Sequence, residues 1–141
     1  MLKFRELKTE DEAALAVLFR DRLTEKKPRW DIDSFMNNNN CFGLVLEDGK
    51  NKKIAGFGAI VFYETPIEGL TGTIQGVVIA REYAGAGWGR KLVKRLLAIA
   101  RKKKAKSIWL TSADKREAAI SLYLSEGFIK KETNFFVKEI Q

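Results

Sequence analysis

Apolar positions along this chain follow two periods, and the switches between them mark the elements. Leu2, Phe4 and Leu7 predict a first strand. Thr9 followed by Glu12 resembles a capping box, and the helix after it places Ala14, Leu15, Leu18 and Phe19 on one face. Pro28 and Trp30 break that pattern, and Asp31 to Met36 predicts a short second helix. The asparagines from Asn37 to Asn40 form a turn. Cys41 to Leu46 and Ile54 to Tyr63 predict strands joined by a polar hairpin turn over Glu47 to Asn51. Pro66 to Gly72 is expected to be mostly loop, followed by a strand through Ile74, Val77, Val78 and Ile79. A helix from Trp88 carries Leu92, Val93, Leu96, Leu97 and Ala100 on one side, with Arg90, Lys91, Lys94 and Arg101 opposite. Ser107 to Thr111 predicts a strand. Asp114 is a candidate N-cap for a helix bearing Ala118, Ala119, Leu122 and Tyr123, and Gly127 ends that helix. Phe128-Ile129 and Phe135-Phe136-Val137 predict two closing strands. The order predicts an α/β (α+β layered) domain, a mixed sheet of about seven strands with helices on both faces.

The most informative stretch is the passage from Ile79 into the helix at Trp88. It runs through Gly85, Gly87 and Gly89. Glycine permits a backbone with φ > 0 and close approach to a ligand. A helix start exposes unpaired N–H groups and the positive end of the dipole. Strand, glycine loop and helix start thus form a site for phosphate or pyrophosphate, with Arg90 and Lys91 at its edge. The spacing excludes a P-loop, which needs Gly-Lys-Ser/Thr after four intervening residues. It also fails the dinucleotide fingerprint, because Arg90 stands where the third glycine belongs.

Composition narrows the chemistry. At 141 residues the chain is expected to form one domain spanning 1–141. It contains no histidine and a single cysteine, Cys41. Ser-His-Asp and Cys-His catalysis are therefore excluded, a zinc site is disfavoured and no metal is expected. Cys41 beside Phe42 and Leu44 reads as a packing residue rather than a nucleophile. The N-terminus lacks an apolar signal region and no run spans a bilayer, so a cytoplasmic location without membrane association is expected. The net charge of +8 invites an anionic ligand. Nucleic acid is disfavoured: no nucleic-acid-binding motif is present, and the Arg101 to Lys104 cluster sits where a helix C-terminus favours cations.

The element order and two motifs resemble the GNAT family of N-acetyltransferases, over essentially the whole chain. Ala84-Gly85-Ala86-Gly87-Trp88-Gly89 is similar to the family's acetyl-CoA loop. Ala119, Leu122-Tyr123 and Gly127-Phe128 resemble its later pattern, and the tail resembles bacterial members of unassigned substrate. The resemblance implies a mostly antiparallel sheet and transfer of an acetyl group from acetyl-CoA to a primary amine of a small molecule or peptide. It implies that Val77, Val78 and Ile79 pair with the pantetheine arm, with a nearby N–H polarising the thioester. The backbone from Ala84 to Arg90 would hold the pyrophosphate, and Arg116 would join the cofactor site. Tyr123 would be the general acid for the departing thiolate, since a phenol titrates near ~10. Ala84 departs from the family's usual Arg or Gln. Gln75 and Gly76 stand where related members often carry acids, so no general base is assigned; Glu64 and Glu68 are candidates acting through water. The acceptor region would comprise Arg20, Arg22, Lys26, Lys27, Arg29 and Trp30, a lean toward an acceptor with carboxylate or phosphate. A non-catalytic acyl-CoA sensor of the same fold and a protein N-terminal acetyltransferase are the alternatives, and a homodimer is possible.

Overall fold

Five strands in the order β1-β2-β3-β4-β5 form the sheet of this computed structural model, which describes residues 1–140. They are β1 (Leu2–Glu6), β2 (Cys41–Asp48), β3 (Lys53–Thr65), β4 (Gly69–Ile79) and β5 (Ser107–Trp109). The first four make an antiparallel meander, and β5 runs parallel to β4. Parallel neighbours need a crossover, supplied here by the long helix α3 (Trp88–Lys103). The helices α1 (Glu12–Arg22) and α2 (Ile32–Met36) precede β2, and α4 (Glu117–Ser125) follows β5. The backbone divides into two compact units, Met1–Thr111 and the residues from Ser112 onward. The first holds the whole sheet with α1 to α3, and the second holds α4.

Consecutive β3 residues show how the sheet is covered. Phe57 meets Phe19 of α1 and Trp30, with ring centroids 5.5 and 5.8 Å apart. A Cβ on the next residue, Gly58, would lie 3.0 Å from Leu96 and 3.2 Å from Leu92 of α3. Neighbouring strand residues point to opposite faces, so α1 and α2 cover one face and α3 the other. Leu15 and Leu18 anchor the first layer; Leu92, Val93 and Leu96 anchor the second. Each such burial contributes about 1.5–3 kcal/mol.

Four expectations need correction. The sheet has five strands rather than about seven: Phe128-Ile129 and Phe135-Phe136-Val137 are not in strands, and Phe136 is 86% exposed. Their apolar, aromatic character favours a strand only where a ladder neighbour exists to pack against. The loop expected over Pro66 to Gly72 is a turn over 66–68, because β3 and β4 continue pairing to Thr65↔Gly69. Thr9 and Glu12 do not form the capping box: Asp11 accepts from the Lys8 N–H at 2.8 Å, while the Thr9 hydroxyl donates to Asp33 at 2.7 Å. Asp114 does not cap α4; it lies in a turn closed by Arg116 N–H to Ala113 C=O at 2.9 Å, and the helix begins at Glu117. Aspartate suits turns as well as caps.

Candidate functional site

The unusual feature of the first unit is the edge of β4. On one side β4 pairs with β3 along its length. On the other side the register with β5 runs only over Thr71↔Ser107, Gly72↔Ile108 and Thr73↔Trp109. From Ile74 to Ile79 the ladder to β5 is gone, so backbone groups on that side are left for another partner. A register shift interrupts the β3–β4 pairing between Phe57 and Ala59, where Gly76 has φ 66°. Two β4 residues, Gly76 and Val77, there oppose one on β3, which is a bulge. Bulges re-aim side chains and backbone, and this one lies where β4 parts from β5. Val77 and Val78 are buried and Ile79 is half-buried. The Ile79 carbonyl accepts from Arg22 Nε at 3.0 Å, which ties α1 to the end of β4.

Beyond Ile79 the chain makes a short turn over Arg81–Tyr83 and enters the glycine loop. Gly85 and Gly87 both sit in the left-handed region, at φ 80° and 87°, and a Cβ on either would meet no atom within 4 Å. Glycine is therefore demanded by the backbone here, not by crowding. Gly87 is the N-cap of α3; no side chain caps this start and no acid lies in the first turn. The amides at this helix end point outward with the positive end of the dipole. Ala84, Ala86 and Arg90 are exposed, and Trp88 and Gly89 half-buried. The loop has room and charge for a pyrophosphate. The Ala84 side chain adds nothing to it.

Two contacts hold this loop in place. The Tyr83 hydroxyl donates to Asp48 Oδ2 at 2.6 Å, and the Asn51 side chain donates to the same oxygen at 2.8 Å. These bonds, the Tyr83 one foremost, hold the Asp48 carboxyl well below the usual carboxylate range. The same contact raises the Tyr83 phenol. The β2–β3 turn is thereby bolted to the residue two places before Gly85. On the other flank the Trp88 ring packs edge-on against Phe4 of β1 at 6.2 Å, with Lys91 Nζ 4.3 Å above it. Neither Asp48 nor Phe4 was legible as part of the site; Asp48 carried only the signature of a turn residue.

The second unit contains Arg116 and Tyr123. Tyr123 is buried, which pushes its phenol up, partly offset by the charge of Arg116. The end of α4 is a Schellman motif: Phe128 N–H bonds Tyr123 C=O at 3.0 Å and Gly127 N–H bonds Leu124 C=O at 3.2 Å, with Gly127 at φ 96°. The apolar contact that accompanies such a cap is the Phe128 ring against Tyr123, centroids 5.8 Å apart. Gly127 and Phe128 thus fix the residue expected to be the acid.

The structure brings Val77, Val78, Ile79 and the loop from Ala84 to Arg90 into one continuous segment of the first unit. Tyr123 and Arg116 share the second. The residues expected near the acceptor divide. Trp30 packs among Phe19, Phe35 and Phe57, and Arg22 is held by Ile79, so both have structural work. Glu64 is paired with Leu70 near the hairpin turn, six positions before Gly76, about 20 Å at the usual strand rise. Glu68 lies in the turn itself, its N–H bonded to Thr65 Oγ1. Cys41 opens β2 half-buried, and burial raises its thiol.

Residues 5–128 match the model of the acetyltransferase (GNAT) family. The chain belongs to that family, whose members bind acetyl-CoA and an acceptor. Among solved structures it is similar to an acetyltransferase of Trypanosoma brucei, at 24% identity and TM-score 0.84, covering 99% of this chain and 100% of that one. It is also similar to a predicted acetyltransferase of Clostridium acetobutylicum crystallised with acetyl-CoA, at 21% identity, TM-score 0.77, and 98% and 96% coverage. Glucosamine-6-phosphate N-acetyltransferase of Arabidopsis thaliana is 18% identical, with TM-score 0.79 and 98% of each chain covered. At these identities the likeness shows a shared fold. No curated protein matches the chain. No described helix is long and apolar enough to cross a membrane.

Proposed function

We propose that this protein is an acetyl-CoA-dependent N-acetyltransferase that acetylates a primary amine of a small molecule or peptide by direct transfer. The observation that carries the reading is the half-free edge of β4, which loses β5 after Thr73, bulges at Gly76 and leads into the glycine loop. An extended pantetheine arm satisfies backbone groups of such an edge as a strand would. The outward amides at the start of α3 then receive the pyrophosphate. Bound there, acetyl-CoA supplies an activated acyl group and a thiol leaving group. The chain's part is to orient that group, to offer an N–H near Val78 to the thioester oxygen, and to protonate the departing sulfur through Tyr123. Arg116 and Tyr123 are assigned to the site on the family pattern they carry. The test is release of free thiol from acetyl-CoA across a panel of primary amines. Amine-dependent release with a matching acetylated product supports the reading; acetyl-CoA binding without product from any amine contradicts it.

A further inference from the structure

The face of β3, β4 and β5 that carries Gln75 bears uncharged side chains: Ala59 and Val61 stand opposite Gln75 and Thr73, and the rest are neutral polar or aromatic groups. Tyr63, Thr71, Thr73, Gln75, Ser107 and Trp109 share this face through the cross-strand pairs Tyr63↔Thr71, Thr71↔Ser107 and Thr73↔Trp109. Contacts confirm it. Thr71 and Ser107 hydroxyls are 3.0 Å apart, and Trp109 Nε1 donates to the Tyr63 hydroxyl, spanning β4. Thr71 and Thr73 are buried, yet Tyr63 and Trp109 stay 38% and 39% exposed. Two large aromatics locked together at the surface have a free flank for a planar ligand. Gln75 is exposed and donates its Nε2–H to Thr73 Oγ1 at 2.9 Å, which leaves its carbonyl oxygen to accept. Tyr63 accepts from Trp109, which leaves its own O–H to donate.

This platform runs from Gln75, beside the bulge at Gly76, back to the Tyr63↔Thr71 pair, about 16 Å along β4 from the bulge at the usual strand rise, on the face covered further along by α1 and α2. Resting on the transfer reading above, we propose that Gln75, Tyr63 and Trp109 form the acceptor subsite, and that it selects a weakly basic amine attached to an aromatic or other planar group. The chemistry follows from the missing charge on this face. An amine attacks only when neutral, and an amide such as Gln75 can accept an N–H bond but cannot take a proton at neutral pH. Glu64 points to the face opposite Tyr63, since neighbours on a strand alternate. The ionised side chain that reaches β4 from α1 is Arg22, a cation, which disfavours an arriving ammonium. Tyr63 is the titratable group that the three strands present on this face. The amine therefore arrives already deprotonated. Its nitrogen forms the new bond to the acetyl carbon, the C–S bond breaks, and one amine proton ends on the sulfur as free thiol.

The test compares two amines with the same ring, phenylalaninamide and phenethylamine. An α-ammonium titrates near ~8 and an alkylammonium like that of lysine near ~10.4. At about pH 7 the first has roughly two-hundredfold more neutral amine, so kcat/KM should favour it by about that factor, with the gap closing as pH rises toward 10. Gln75→Glu, at an exposed position, should raise phenethylamine turnover near neutral pH by supplying a base. Trp109→Phe should raise KM for both aromatic amines but not for glycinamide. Equal rates for the two amines at pH 7, or unchanged KM in Trp109→Phe, would overturn the proposal. Melting with acetyl-CoA separates the two levels. A shift with no acetylation of either amine rejects the acceptor subsite alone; no shift rejects the donor reading, and this inference with it.

Discussion

Replacing Gly87 by alanine tests whether the glycine loop is shaped for a ligand or is merely a turn. Gly87 sits at φ 87°, ψ 6° as the N-cap of α3. A Cβ there would meet nothing within 4 Å, so the substitution adds no clash. What it adds is the cost of an L-residue in the left-handed region, about 1–2 kcal/mol. In a domain of this size that lowers Tm by roughly 3–8 °C. The variant can instead relax the loop to avoid the strain, which turns the amides of Trp88 and its neighbours away from their common target. Where the loop relaxes, Tm falls less and acetyl-CoA binding weakens by tenfold or more in Kd, about 1.4 kcal/mol. Gly49→Ala is the control: its φ is not positive and its nearest contact would be Met1 O at 3.8 Å. It should change stability by less than about 0.5 kcal/mol and leave Kd alone. Calorimetric titration and thermal melting on the three proteins give the answer. A Gly87→Ala protein with unchanged acetyl-CoA affinity and no loss of Tm would refute the reasoning, because the loop would then neither hold the left-handed backbone nor depend on it for the ligand.

Other expectations follow from the same geometry. Tyr123→Phe should lower kcat by tenfold or more with acetyl-CoA affinity retained, read by steady-state rates beside a binding titration. Asp11→Asn should cost about 2 kcal/mol near neutral pH, because Arg5 grips both Asp11 oxygens at 2.8 Å. Burial, the largest single influence, raises the Asp11 carboxyl, but the hydrogen bonds from Arg5 and the Lys8 N–H, with the positive charge of both side chains, together outweigh it and leave it below its ordinary value. A carboxyl depressed in the fold stabilises above its unfolded pKa of ~3.9 and loses that contribution as pH falls through the folded value. Denaturant midpoints should therefore fall below about pH 4 in the parent protein and fall less in the variant, with Asp48 still adding to the acid limb. Lys104→Gly should raise stability by about 1 kcal/mol. Lys104 holds φ 62° where the end of α3 is closed by Ala105 N–H to Ala100 C=O, and a lower melting temperature would show that the lysine makes a contact worth more than the strain.

How much of this was legible in the sequence depended on whether the signal was local. The amphipathic face of α3 and the Gly127 cap are written in neighbouring residues, and both appear as expected. The glycine loop was visible for the same reason: left-handed backbone selects glycine locally. The splay of β4 was not readable, because it depends on where β5 stops pairing, a partner more than 30 residues away. Asp48 and Phe4 escaped notice for the same reason, since their roles exist only once distant strands bring Tyr83 and Trp88 beside them. The two closing strands were overread from composition; Phe135, Phe136 and Val137 have the right side chains, but a strand is made by its neighbour.

The most direct test of the central claim is thermal melting with acetyl-CoA, with CoA and NADH as controls. A ligand at about 100 times its Kd adds roughly 2.7 kcal/mol, which for a domain of this length raises Tm by roughly 8 °C. Acetyl-CoA and CoA should each give that rise, and NADH none. No shift with any of the three would contradict the claim and reduce the loop from Ala84 to Gly89 to a turn.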